Sequence, residues 1–567
     1  MWPVLPLLAP LGVVPIVWSV PTDGTFAAVA ALASDGDTIE LLQDTAPEEL
    51  PVVLTARITV RGQGAAATAI AMPARALIVA ADVTFEDLTF DGTAASRVLT
   101  VAGPTVTLNR AVVQNGAAPD RGGCVSVTGG AMIATDTTFR GCAAPTGGAL
   151  AVDSAAVTCV RCTFEANDAT GDGGAVWLWY ARPSSFTDAT LRSSTAGGAG
   201  GGIAAFGSTV AVVGGAFDGD GAGTIGGAIA VGAAGAITVT PSAFGGTLFT
   251  GGSAASGGAI GCVDAGCAVS VTGATLTDGA ATDGGHLYAS SGVITVIDST
   301  LSLGHAERDG GAIRVDAGST LTVVDTALLD NDAGARGGAI AATGAATSLA
   351  RVRACDNHAD DAGGAIRWTD PGSTDVRNLS ALRNSAGATG GAVSIDGGAV
   401  PILQSTFVGN DAPDGAALDA EAPGVSLTGV VVTQSVHGVA VDGPVAVATW
   451  AGFGNGAGDL GPEAIPSDPV ALTTDPLPVL PADCTEAIPV FGGELVDRSI
   501  GLDPDGTPAD LGATGGPDAD PDLWLADGDP VPAMWDCEPF SDLAYPGNVE
   551  VPGDDIDNDC LDGDAPA

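Results

Sequence analysis

The sequence predicts an all-β chain wound as a right-handed parallel β-helix, a solenoid of about 15 coils, ending in an acidic, irregular C-terminal segment. Three observations carry this. A Gly-Gly pair recurs eleven times, its second Gly at 123, 148, 174, 201, 227, 258, 285, 311, 338, 364 and 391, in steps of 25 to 31 residues. Between the pairs, apolar and polar residues alternate, as in 236–244 (AITVTPSAF), 293–301 (VITVIDSTL) and 320–328 (TLTVVDTAL), which is the period of a half-buried strand. The composition agrees: 46% of residues are hydrophobic but only 4% aromatic, and 84 of 567 are Gly, giving a thin core of small aliphatic side chains and opposing helix.

Within each repeat the pair is followed by a small residue and then an apolar one (GGAL, GGAV, GGAI). A unit holding two or three short strands cannot bury its apolar side alone, but coils stacked ~4.8 Å apart can. The pairs are expected where φ is positive or where a turn leaves no room for Cβ. Phe or Leu stands eight or nine residues before the pair, with Asn three residues later in Phe164…Asn167, Leu328…Asn331 and Phe407…Asn410. Such Asn residues are expected to stack into a hydrogen-bonded ladder. Counting from the second Gly, +2 and +4 point inward and +3 outward. Trp368, at +4, is therefore expected in the core, and Ala341, at +3, in solvent. The same count puts Trp177, Tyr288, Arg314 and Arg367 on an outer face, with Trp179 beside Trp177. Aromatic rings on a flat sheet stack on sugars or cover a neighbouring loop; these five are the candidate glycan-binding residues.

Charge narrows the partners. The chain has 19 Arg, no Lys and 67 acidic residues, 55 of them Asp, for a net charge of −48. That excludes nucleic acid, which needs basic patches, and anionic lipid surfaces. Residues 459–567 hold 21 Asp, 5 Glu and a single Arg, so this region favours cations or simply stays solvated. Residues 1–20 (MWPVLPLLAPLGVVPIVWSV) are uncharged and apolar, with small residues for cleavage near Ser19. Four prolines there oppose a membrane-spanning helix, so a signal peptide is expected, with no transmembrane span in the mature chain. In an oxidising compartment, the spacings Cys159–Cys162 and Cys262–Cys267 suit local disulfides.

The recurring GGA[ILV] with its upstream F-x-x-N resembles the repeat of the polymorphic outer-membrane proteins over roughly residues 120–420. That resemblance implies a β-helical protein at the cell surface, in the outer membrane or secreted, with adhesion as its commonest role. Residues 35–62 resemble the opening coil of many secreted β-helices, and 501–516 (GLDPDGTPADLGATGG) a segment that often closes them. Residues 536–564, with Tyr545-Pro546-Gly547, Glu550 and Asp557-Asn558-Asp559-Cys560, resemble the short metal-binding motif named after the copper-binding surface protein MopE. From ligand chemistry alone, Asp555, Asp557, Asp559, Asp562 and Asp564 offer hard oxygens suited to a divalent cation, calcium before copper or zinc. Cys537 and Cys560 flank the motif and are expected to bridge it.

No catalytic set stands out. The best cluster is Arg351, Arg353, Asp356, Asn357, His358, Asp360, Asp361 and Arg367, but adjacent Asp360 and Asp361 would point apart rather than face each other across a groove. The expected layout is a signal peptide at 1–20, the β-helix over 21–460, a terminal coil and Pro/Asp-rich linker over 461–525, and the acidic metal-binding motif over 526–567. The expected function is non-enzymatic binding or adhesion to a cell-surface glycan or protein. The alternative is a polysaccharide lyase or glycoside hydrolase on a pectate-lyase-like β-helix, since fold alone does not decide function.

Overall fold

The computed structural model describes residues 14–45, 52–72, 76–92, 96–420, 424–441, 445–456 and 464–471, together with 499, 509 and 511–513. The five C-terminal Asp residues, Cys537 and Cys560 lie outside the described residues. The fold is an all-β parallel β-helix of about 14 turns, as the repeats lead one to expect. It divides into two compact units, Met1–Gly223 with Ser242–Gly245, and Thr224–Pro241 with Gly246–Ala567.

In the first unit one turn reads Leu150–Asp153, Ala156–Val160, Thr163–Glu165 and the short Asp168–Ala169. Single left-handed residues make the bends between them: Ser154 at φ 53°, Arg161 at 51° and Ala166 at 50°. One such residue redirects a strand without a loop, so consecutive turns stay in register, Leu150 beside Val176 and Val176 beside Ile203. Inward side chains then stack on their own kind. The Phe139 and Phe164 rings lie parallel with centroids 4.8 Å apart, and each such buried ring contributes about 2–3 kcal/mol. Val17–Val20 pairs with Thr38–Leu41, so the stretch read as a leader includes a strand of the first turn, and cleavage near Ser19 would cut it. The helix Phe26–Leu32, capped by the Thr25 hydroxyl, buries Phe26, Val29 and Ala30.

The second unit repeats the scheme, with Ile340–Thr343, Ala346–Cys355 bent at Arg351 (φ 51°), and His358–Ala359. Both expected roles of glycine occur within each pair. The first Gly has φ between 61° and 72° in all eleven. The second has no space: a Cβ on Gly338 would overlap the carbonyl oxygens of Gly364 and His358.

The Asn ladder forms in this unit. Asn331 Nδ2 donates to Asn357 Oδ1 at 2.9 Å, Asn357 to Asn384 at 2.9 Å and Asn384 to Asn410 at 3.1 Å. The Oδ1 of Asn357, Asn384 and Asn410 also accepts the backbone N–H of the preceding Asn, and each Nδ2 reaches a strand carbonyl in the turn before, as Asn357 does to Leu328. All four are fully buried, and complete pairing is what makes that tolerable. Where the ladder positions are Gly279 and Gly304, the ring of His286 occupies the vacancy, and a Cβ on either Gly would run into it.

Trp368 is fully buried as expected, but Ala341 is only 1% exposed, which corrects its placement in solvent. Its neighbours in register are Arg314 and Arg367, and so small a side chain lies below their long ones. Part of the expected closing segment returns to the outside of the solenoid: Leu511 packs on Cys355, Leu382, Val408 and Val431, and Asn378 Nδ2 donates to Ala513 O at 2.8 Å.

Candidate functional site

In the first unit, strand Val176–Trp179 turns Val176 and Leu178 into the core, so period-two alternation places Trp177 and Trp179 on the outer face. Trp177 has room because its neighbours in register are Ala151 and Ala204. Its ring stacks on that of Trp179, centroids 5.6 Å apart and planes within 11°. Two more rings brace Trp179: Tyr180 edge-on at 5.1 Å and 90°, and Phe206 tilted at 6.1 Å. Tyr180 sits at a bend with φ 43°, an unusual conformation for a bulky residue. Its ring lies over Gly207, where a Cβ would come within 2.6 Å of it. Trp179 is 39% and Tyr180 56% exposed.

Beside Trp179 in register stands Asp153. Its carboxylate is oriented by Arg121 at 2.7 Å and by the Ser154 hydroxyl at 3.0 Å. The arrangement is a platform of mutually packed rings, partly open to solvent, with an oriented carboxylate on the strand beside it. Rings held by other rings lose little entropy on binding, which favours a flat apolar ligand face.

The other three candidates fall in the second unit, each engaged by a carboxylate. Tyr288 donates to Asp316 at 2.8 Å; Arg314 holds Asp316 at 2.8 Å and Asp309 at 3.0 Å; Arg336 also grips Asp309 at 3.0 Å. Burial, together with the Asp316 hydrogen bond, raises the Tyr288 phenol above its usual range. Arg367 bonds Asp396 at 3.2 Å and the Ser394 hydroxyl. The five residues grouped by the +3 count thus form one aromatic platform and, separately, an Arg–Asp–Tyr strip.

The cluster over 351–368 disperses. Arg351 pairs with Asp325 at a bend, Asp356 with Arg383, and Asn357 is inside the ladder. His358 meets Ser385 at 2.9 Å and keeps a contact within the cluster, to Asp360 at 3.3 Å, while Arg367 lies on a different sheet from Arg351 and Arg353. Most Arg residues serve as such cross-turn partners, including Arg110–Asp87 and Arg161–Asp136. Left-handed bends favour Asp, and stacked Asp would repel at each turn without a guanidinium between them.

Cys262 and Cys267 are joined, and so are Cys124 and Cys142, a pair the local spacings did not suggest. Cys159 and Cys162, expected to bridge, are free buried thiols; burial pushes the Cys159 thiol up. Among the described residues no three His, Cys, Asp or Glu gather as metal ligands, and no helix is long and apolar enough to cross a membrane.

Sequence reasoning missed Asp153, Tyr180 and Phe206. The signal was present: Asp153 and Phe206 stand at the same step of the repeat as Trp179, one turn before and one after.

No family model matches the chain, and no curated protein matches it. Among solved structures it is similar to one described as a PL6 family alginate lyase, AlyGC, at 9% identity and a TM-score of 0.22, over 81% of this chain and 100% of that one. A likeness at that level carries no argument about this chain's chemistry.

Proposed function

We propose that this chain is an exported, non-enzymatic β-helix, at the cell surface or secreted, that binds carbohydrate on the Trp177–Trp179 platform, and that its acidic C-terminal segment takes a divalent cation, calcium first. The single observation carrying the binding role is the braced, exposed Trp179 ring with Asp153 at its edge. Ala151, Ala204 and Gly207 leave room for this ring group. Export is supported by the Cys124–Cys142 and Cys262–Cys267 bridges, which suit an oxidising compartment. The GGA[ILV] repeats fit a surface protein of the polymorphic outer-membrane type, with adhesion as the outcome of glycan binding.

The competing lyase or hydrolase would draw on the Arg–Asp–Tyr strip. There each of Arg314, Arg336 and Arg367 is held by a carboxylate, and the Tyr288 phenol is pushed up, so it keeps its proton instead of acting as a base. A glycan array run beside a reducing-end assay on the same polymers separates the readings. Retention that falls in Trp179→Ala, without release of reducing ends, is expected. Turnover of any polymer, or retention indifferent to Trp179→Ala, would overturn the proposal.

A further inference from the structure

We infer that the platform's ligand is a neutral pyranose polymer, laying a C–H face of one ring on Trp179 and directing adjacent hydroxyls to Asp153; this rests on the carbohydrate-binding role proposed above. The polar chemistry beside the ring decides the class. Asp153 Oδ2 accepts from Arg121 and Oδ1 from Ser154, and a carboxylate has about four acceptor positions, so lone pairs remain for sugar hydroxyls. A uronate or sulfate would instead meet a like charge there.

Among the described residues, the guanidiniums of this part of the unit already have partners, three of them carboxylates. Arg121 is bound to Asp153, Arg182 donates to the carbonyls of Gly129 and Gly130, Arg161 is held by Asp136 and Arg192 by Glu165. Residues 1–223 carry 20 acidic side chains against 10 Arg, so the wider field also disfavours a polyanion. Trp179 meanwhile needs only polarised C–H bonds, which neutral pyranoses present on a whole face. Stacking plus hydroxyl-to-carboxylate bonding therefore describes the ligand without calling on a cationic group.

The test is isothermal titration of the full chain with cellohexaose, mannohexaose and chitohexaose, against hexamers of mannuronate and galacturonate, at about 0.02 and 0.5 M NaCl. At least one neutral hexamer should bind with an affinity that changes less than about twofold with salt, at least ~tenfold tighter than either acidic hexamer. Trp179→Ala should weaken it about tenfold or more, and Asp153→Asn by roughly fivefold. Tyr180→Gly, which relieves the strained bend and so keeps the fold, should weaken binding by unbracing Trp179. Acidic hexamers binding as tightly, in a Trp179-dependent manner, would overturn the neutral assignment while leaving the platform. Binding indifferent to both Trp179→Ala and Tyr180→Gly would overturn the carbohydrate-binding reading itself. Silence from all three neutral hexamers would overturn the neutral assignment, and unchanged affinity in Asp153→Asn would remove Asp153 from it.

Discussion

Asp220 occupies the position that Asn holds elsewhere in the ladder, three residues after Phe217, and replacing it with Asn should stabilise the chain in a pH-dependent way. Its Oδ1 accepts the Ser194 N–H at 2.8 Å, while Oδ2 is buried without a hydrogen-bond partner among the described residues. Burial pushes the carboxyl up to about 8, with Asp218 adding to the rise and Ser194 opposing it. The unfolded chain ionises near 3.8, so the folded state holds the extra proton between those values. Stability from this site is therefore whole below pH 3.8 and lost as pH rises towards 8, at about 1.4 kcal/mol per unit, or ~4 kcal/mol by pH 7. Asn carries no such loss, and its Nδ2 gains the kind of bond that Asn167 makes to Phe139 O at 3.1 Å. Urea unfolding of the two proteins from pH 4.5 to 8 isolates the effect, since other titrating groups cancel in the difference. The advantage of Asp220→Asn should grow steadily with pH. A flat difference, or one that grows towards acid, would show that Asp220 is not held protonated in the folded chain.

His286 should show the opposite slope: burial pulls its imidazole down to about 4 from 6.5, so its contribution is whole above pH 6.5 and ~3 kcal/mol is lost as pH falls towards 4, a loss that His286→Asn should abolish in thermal melts. Gly338→Ala should cost ~2–4 kcal/mol because the Cβ would meet two backbone carbonyls that cannot yield, whereas Gly318→Ala, at φ 84° with open space around it, should cost about 1 kcal/mol; equal shifts in midpoint would contradict the stacking. Asn357→Ala should cost ~2–4 kcal/mol, since it takes the acceptor from the Asn331 side-chain amide and backbone N–H and a donor from Asn384 Oδ1, all in a buried row; hydrogen exchange at Asn331 should rise with it.

The repeat and its consequences were legible because a solenoid writes its geometry once per turn. The Gly pairs, the Asn ladder and the burial of Trp368 all follow from local spacing. What escaped depends on neighbours about 26 residues away. Ala341 reads as outward, and it is, but Arg314 and Arg367 in the adjoining turns shelter it. Cys124 and Cys142 are 18 residues apart and meet only because one follows a Gly pair while the other stands at a ladder position. The outer-face rule found Trp177 and Trp179, yet it also collected Arg314 and Arg367, whose guanidiniums are committed to carboxylates. Pattern gives direction, and only the stacked neighbours tell whether a side chain is available.

Carbohydrate binding at Trp179 is tested most directly by a crystal structure of the chain soaked with whichever neutral hexasaccharide binds in titration. A pyranose ring is expected flat on Trp179, about 4 Å from the indole plane, with a hydroxyl on Asp153. Sugar bound instead along Tyr288, Arg314 and Asp309, with the Trp179 face bare, would contradict it.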